Sequence, residues 1–332
     1  MSMNLNTTGR KSGELTPADL FQAVKRSWIF TVIVGFGVGL AVVGLLQPDA
    51  PLPAVTSTIE VKEAAQKPQK LATHTVEKLQ KKFQQIGYSI DKLEVNGYTV
   101  PRIWPDAVPD DMDSIQVVQD RKALFMKMML PLVLLSNERI ERDRVRLLSI
   151  AEKQAKGEVI AKADQNWLEN TAKSYRLDEV DMAELIKRVD VVPVSLAVAQ
   201  AAIESGWGTS RFARQGNALF GQWTWGDEGI VPDGREEGKT HKIKSFESPL
   251  DSVVAYVHNL NTNRAYRELR NLRADLRKQG IDATGLDLTM GLQRYSEKGM
   301  EYVYLLQNII NSNQMARFDD AQLGGTKLAS LN

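Results

Sequence analysis

Chemistry in this sequence gathers around one carboxyl group. Residues 195–203, SLAVAQAAI, carry alanines at 197, 199, 201 and 202, so a closely packed, buried helix is the expectation. Glu204 comes next, and the chain breaks at once into Ser205, Gly206, Trp207 and Gly208. A carboxyl at the end of a buried helix, beside a tryptophan, is poorly solvated. Desolvation disfavours the ionised form and raises the pKa. An acid still protonated near neutrality can give its proton to a leaving oxygen. The competing reading is structural: Glu204 caps a turn, or pairs with Arg211 or Arg214.

The composition narrows the other options. Among 332 residues, 42 Lys and Arg stand against 41 Asp and Glu, a formal net charge of +1. That leaves no global basic field to hold nucleic acid. The absence of cysteine excludes disulfide scaffolds, thiolate metal sites and a thiol nucleophile. Three histidines, His74, His241 and His258, argue against a multi-histidine metal centre, so neither metal nor cofactor is expected. A hydrophobic fraction of 43% supports a packed core. Carboxylate or hydroxyl catalysis remains, or binding.

Elements must position that carboxyl. Residues 71–90 read as a short amphipathic helix, and 93–105 as an extended pair around Asn96 and Gly97. From 114 to about 156 the apolar spacing is helical, with Pro131 expected to kink or break the run and 139–146 forming a mixed-sign, solvated face. The apolar stretch 123–135 contains Lys127 and is too short to span a membrane, so it reads as a core helix. Further helices are expected at about 158–175 and 178–190. Glycines 226, 229, 234 and 238 punctuate 222–245, which reads as a β-hairpin lobe facing the helix that ends at Glu204. The tail 316–332 is polar and glycine-containing, and is expected to be disordered.

Residues 28–46, WIFTVIVGFGVGLAVVGLL, are uncharged and long enough to cross a hydrocarbon core of about 30 Å. Arg10, Lys11, Lys25 and Arg26 precede the run, and the next basic residue after it is Lys62. The positive-inside rule then puts 1–27 in the cytoplasm and the rest outside. A cleaved signal peptide competes, but prolines 48, 51 and 53 crowd the place for a cleavage site. Gly35 and Gly39 form a GxxxG through which two such helices could dimerise. Residues 47–70 hold four of the twelve prolines and read as a semi-rigid linker. The division expected is therefore a tail (1–27), a membrane anchor (28–46), a linker (47–70), a helical accessory region (71–155), a catalytic domain (156–315) and a polar tail (316–332).

The stretch AQAAIESGWGTSRFARQGNALFG resembles the signature of bacterial peptidoglycan-cleaving glucosaminidases, glycoside hydrolase family 73 of the lysozyme-like superfamily. SFESPLDSVVAYVHNLNTNRAYRELR (245–270) resembles that family's Bax branch, and the likeness extends over roughly 115–315. It implies a mainly α, lysozyme-like helical domain, to which the residues themselves add a small β-hairpin lobe and, outside the likeness, a single preceding transmembrane helix. It also implies that Glu204 is the general acid, that Asn217, Leu219, Phe220 and Gly221 form a turn lining the cleft floor, and that Tyr266 and Tyr295 lie near the centre. For each tyrosine the alternative is an ordinary packed aromatic.

A hydrolase of this kind needs a second carboxylate about 5–10 Å from the acid, or a substrate N-acetyl group acting in its place. The lobe offers Asp227, Glu228, Asp233, Glu236 and Glu237, of which Glu236 and Glu237 fit best, just before the strand THKIKSF. Each could equally be a solvated charge. Trp223 and Trp225 could stack on sugar rings or be buried structural residues. His241 and Arg235 could bind stem-peptide carboxylates, whereas His258 reads as a packed or surface residue. The expectation is an inner-membrane protein whose catalytic domain lies in the periplasm and cleaves peptidoglycan glycan strands next to N-acetylglucosamine. A lytic transglycosylase or muramidase, or a non-catalytic glycan-binding envelope protein, are the alternatives.

Overall fold

In the computed structural model the described residues are 67–324, with 234, 236 and 237 excepted. They belong to the compact unit Val61–Asn332. The expected cytoplasmic tail, the membrane anchor with its GxxxG, the linker up to residue 66, Glu236, Glu237 and residues 325–332 lie outside the described residues. Among the described residues no helix is long and apolar enough to cross a membrane.

The unit is mainly helical. In chain order its elements are β1 (Gln69–Leu71), α1 (Val76–Gln85), β2 (Thr99–Val100), β3 (Ile103–Pro105), α2 (Val118–Ala155), α3 (Lys162–Ser174), α4 (Met182–Arg188), α5 (Val194–Ser205), α6 (Arg211–Gly216), β4 (Trp223–Thr224), β5 (Lys242–Ile243), α7 (Pro249–Thr262), α8 (Arg267–Lys278), α9 (Gly285–Leu288), α10 (Met300–Ser312) and β6 (Gln322–Leu323). One core runs from Leu71 to Leu323 and takes in residues on both sides of position 155. A second, smaller cluster joins Leu147 and Ile150 of α2 to Leu168, Tyr175, Leu185 and Val189.

Helix α2 passes through Pro131 without ending. The proline costs a main-chain hydrogen bond and about 3 kcal/mol in a helix interior. Against that stands a wholly buried run, 124–126 and 128–137, in which each leucine side chain contributes about 1.5–3 kcal/mol. Burial wins, and the expected break is not found. Nor is the polar face beyond it entirely solvated. Arg144 turns inward and donates to the carbonyls of Ile186 and Val189 at the C-terminus of α4, at 2.7 and 2.8 Å.

The extended pair expected around Asn96 and Gly97 is not formed. A turn of 3-10 helix, Ile90–Lys92, precedes Gly97, and the two strands that follow find distant partners. β3 pairs in parallel with β1, and β2 pairs in parallel with β6 near the far end of the chain. The disorder expected of the tail 316–332 is corrected for 316–324. Residues 315–318 form a 3-10 turn, and Phe318, Ala321 and Leu323 are buried in the core. The lobe at 222–245 does contain a hairpin, β4 antiparallel to β5, with an added bridge between Ile230 and Ile243.

Helix α5 is buried on every side along 194–202, which its small side chains permit. It packs on α2, α9, α10 and the 315–318 turn. Its first turn is held by Asp319, which accepts from the Ser195 amide and hydroxyl, both at 2.8 Å, and from the Gly285 amide at 2.9 Å. A Cβ on Gly285 would run into the Ser195 hydroxyl, so glycine is required there. At its other end α5 stops abruptly. Gly206, Trp207 and Gly208 all have positive φ, at 59°, 60° and 81°.

Candidate active site

Glu204 sits in the last turn of α5, half-buried. Burial raises its carboxyl above the usual carboxylate range, and a hydrogen bond from the Tyr302 hydroxyl to Oε1, 2.9 Å long, pulls the other way. The position adds to the upward push, because the negative end of a helix dipole disfavours an anion.

The expected neighbour, Trp207, packs on α2. Its positive φ sends the ring to α2, edge-on to Phe125 at 5.8 Å and under the Lys122 ammonium at 4.8 Å. Tyrosines surround the carboxyl instead. The rings of Tyr266 and Tyr295 lie 5.7 Å apart, and Tyr295 stacks on Tyr302 at 5.3 Å with planes 7° apart. Tyr256 completes the group and stacks face to face on Phe220 at 3.8 Å. Burial drives all four phenols above their ordinary value, and the Glu204 charge pushes each further in the same direction.

Beneath these rings runs a chain of three hydrogen bonds. The Tyr256 hydroxyl donates to Gln200 Oε1 at 2.6 Å, Gln200 Nε2 donates to the Tyr302 hydroxyl at 3.0 Å, and Tyr302 donates to Glu204. Gln200 is fully buried and lies one helical turn before Glu204. Gln200, Tyr256 and Tyr302 carry no expectation from the sequence. A lone amide four residues before Glu204 in an apolar helix was the available signal.

The other expected site residues fall into three groups. Tyr266, Tyr295 and Gly221 lie around Glu204, whose Oε2 is 3.9 Å from where a Cβ on Gly221 would be. Asn217 and Phe220 are built into the scaffold below. Asn217 has φ 52° and ends α6, accepting from the Val108 amide at 3.0 Å and donating to the Phe246 carbonyl at 3.1 Å. Both ends of its amide are thereby occupied. Leu219 is buried, and its amide donates to the Ser252 hydroxyl. Trp223 and Trp225 form an exposed pair on the lobe, 61% and 71% accessible, with Trp223 stacked on His241 at 4.6 Å. They are surface aromatics, so the buried structural reading does not hold. Arg235 donates to the His241 carbonyl.

The arginines of the structural alternative for Glu204 have other partners. Arg211 pairs with Asp233 at 3.0 Å, and Arg214 pairs with Asp113 at 2.9 Å. Asp233 is thereby engaged away from Glu204, and Asp227 and Glu228 are exposed. Among the described residues, no carboxylate is among the groups that shift Glu204. What the arrangement can do is favour the protonated form of one acid on which no cation acts among the described residues, with one oxygen fastened and the other beside a residue that has no side chain.

Residues 180–315 match the glucosaminidase family, described as mannosyl-glycoprotein endo-beta-N-acetylglucosaminidase. The matched span includes Glu204 and all four tyrosines. Protein bax of Escherichia coli (strain K12) is 34% identical over 200 residues, 58% of this chain and 70% of that protein. Among solved structures, the catalytic domain of the autolysin Auto from Listeria monocytogenes is 18% identical, with 52% of this chain and 97% of that domain covered. The TM-score is 0.28, at which the likeness carries no argument about fold.

Proposed function

The chain belongs to the Bax-type glucosaminidase family and is a glycoside hydrolase, and from that premise we propose that it cleaves the β-1,4 glycan strand of peptidoglycan next to N-acetylglucosamine, with Glu204 as general acid. The observation that supports this most is the half-buried Glu204 carboxyl, raised by burial and bonded to Tyr302, with no cation among the groups that act on it. In its protonated form, which burial favours, it gives its proton to the glycosidic oxygen as positive charge develops on the sugar ring. The exposed Trp223 and Trp225 offer apolar faces for the axial C–H groups of the glycan.

One observation favours a second reading. Among the described residues, which leave out Glu236 and Glu237, no carboxylate acts on Glu204, and single-acid chemistry needs none. A lytic transglycosylase would use the same acid and leave an anhydro sugar, and an N-acetyl group of the substrate could attack in place of a second carboxylate. Mass spectrometry of digested walls separates these outcomes. Reducing N-acetylglucosamine ends support the glucosaminidase, and anhydro-N-acetylmuramic ends support the alternative. Loss of cleavage in Glu204→Gln with retained wall binding would also set aside a purely glycan-binding role.

The proposed setting is the bacterial envelope, with residues 28–46 as a signal anchor, residues 47–70 as a tether and the hydrolase in the periplasm. Fusion of a periplasm-dependent reporter enzyme after residue 60 should give an active reporter, and fusion after residue 20 an inactive one. Pairing of anchors through Gly35 and Gly39 is a further part of the proposal, tested by crosslinking in membranes.

A further inference from the structure

The reading of Glu204 as the acid leaves open which of its oxygens carries the proton, and the assignment of that oxygen rests on that reading. A carboxylic acid that protonates a leaving group must hold its hydrogen on the oxygen turned to the substrate. The buried chain behind Glu204 has a direction. Tyr256 gives its only hydroxyl proton to Gln200 Oε1, so the amide nitrogen of Gln200 is left to point at Tyr302. Tyr302 then accepts from Gln200 and has its own hydroxyl proton free for Glu204 Oε1. Once the first bond runs from Tyr256 to Gln200, each step fixes the next.

We propose that Tyr256, Gln200 and Tyr302 form a one-way hydrogen-bond relay that makes Oε1 of Glu204 an acceptor and so places the transferable proton on Oε2, beside Gly221. Oε2 is the oxygen that faces Gly221, with no side chain between them. Were the relay reversed, Tyr302 would give its proton to Gln200. Glu204 would then hold its own hydrogen on Oε1, turned into the protein. Tyr302 and Gln200 are on this account positioning residues, and Tyr256 anchors the far end.

The relay also sets the pH range of the enzyme. Tyr302 donates to the ionised carboxylate and lowers the pKa that burial has raised. The general acid is active when protonated, so activity is lost as pH rises through that pKa. Removing the donor must move the loss to higher pH.

The test is the pH profile of kcat/KM for the full chain on purified peptidoglycan, which reports the titration of the free enzyme. Four variants are compared with the parent: Tyr302→Phe, Gln200→Leu, Tyr256→Phe and Glu204→Gln. Tyr302→Phe is expected to move the alkaline limb upward and to lower kcat by about tenfold to hundredfold, as a misoriented acid would. Gln200→Leu should move the limb in the same direction by less, and Tyr256→Phe by less again, because bonds in a chain polarise one another. Tyr256→Phe removes a single hydroxyl and keeps the test open should Gln200→Leu fail to fold. A Tyr302→Phe enzyme with lower kcat but an unmoved limb overturns the relay, because packing alone would give that result. Should Glu204→Gln remain active, the acid assignment and the relay fall together. An inactive Glu204→Gln beside an unmoved Tyr302→Phe limb removes the relay alone.

Discussion

Asp190 and Glu204 are both withdrawn from water, 14 residues apart, and the molecule treats them in opposite ways. Asp190 is 1% exposed and ringed by cations: Arg277 grips both its oxygens at 2.7 and 2.8 Å, and Arg144 and Arg273 each stand at 3.5 Å. Arg273 is itself buried, and desolvation lowers its guanidinium to about 10 despite the aspartate beside it. The same arginine donates to the carbonyls of Lys187, Asp190 and Val191, closing the end of α4. Glu204 has one phenol as partner and aromatic rings as walls. One carboxylate is neutralised by opposite charge and serves the fold. The other is kept away from cations, so neutralising it requires a proton. On the proposed reading, a desolvated acid becomes a tool where its partner is a hydroxyl, and a rivet where its partners are guanidinium groups.

The sharpest way to break this contrast is to remove each carboxylate in turn. Glu204→Gln is expected to lower turnover on peptidoglycan by about 10²–10⁴-fold, the usual worth of a positioned general acid. It should leave the circular dichroism spectrum unchanged. Asp190→Asn should do the reverse, costing about 3–5 kcal/mol of stability by leaving buried arginines uncompensated. Thermal or denaturant unfolding reads that loss, while kcat of the surviving folded enzyme stays near the parent value.

A subtler test uses pH. The folded pKa of Glu204 lies above its unfolded value, so ionisation costs stability as pH rises, and none of that cost remains below the unfolded pKa. Glu204→Gln should therefore be more stable than the parent at neutral pH, with the advantage vanishing in acid. An equal stability difference at both pH values would show that Glu204 is not held in a desolvating site. The smallest effect belongs to the lobe. Trp223→Ala should raise KM severalfold, by about 0.5–1.5 kcal/mol of lost aromatic contact, and leave kcat near its parent value.

The helix of Glu204 is legible in the sequence because alanines at four of its nine preceding positions suit close packing on every side and little else. The lobe is legible through its glycines. What stays hidden is mostly non-local. Tyr256 and Tyr302 come from 56 and 102 residues beyond Gln200, and no local pattern in α7 or α10 marks those two rings as the ones that meet its amide. β2 and β3 look like two halves of a hairpin, yet each pairs with a strand elsewhere, since the 3-10 turn at Ile90–Lys92 and the left-handed Gly97 and Tyr98 lead the chain past the turn. Trp207 misleads through its closeness in sequence. A residue three places from Glu204 reads as a neighbour, but its ring packs edge-on to Phe125 of α2. Asn217 shows the same limit in another form. Its motif marks a turn beside the acid, and the structure spends its amide on Val108 and Phe246, holding that turn from below.

Asp319, which holds the first turn of α5, and β6, which pairs with β2, have a consequence in time as well as space. During synthesis Glu204 leaves the ribosome more than a hundred residues before the carboxylate that anchors its helix. Until residue 323 has emerged, β2 lacks its partner strand. A chain stalled or clipped short of that point would carry every residue of the tyrosine cluster and still lack the clamp that seats it.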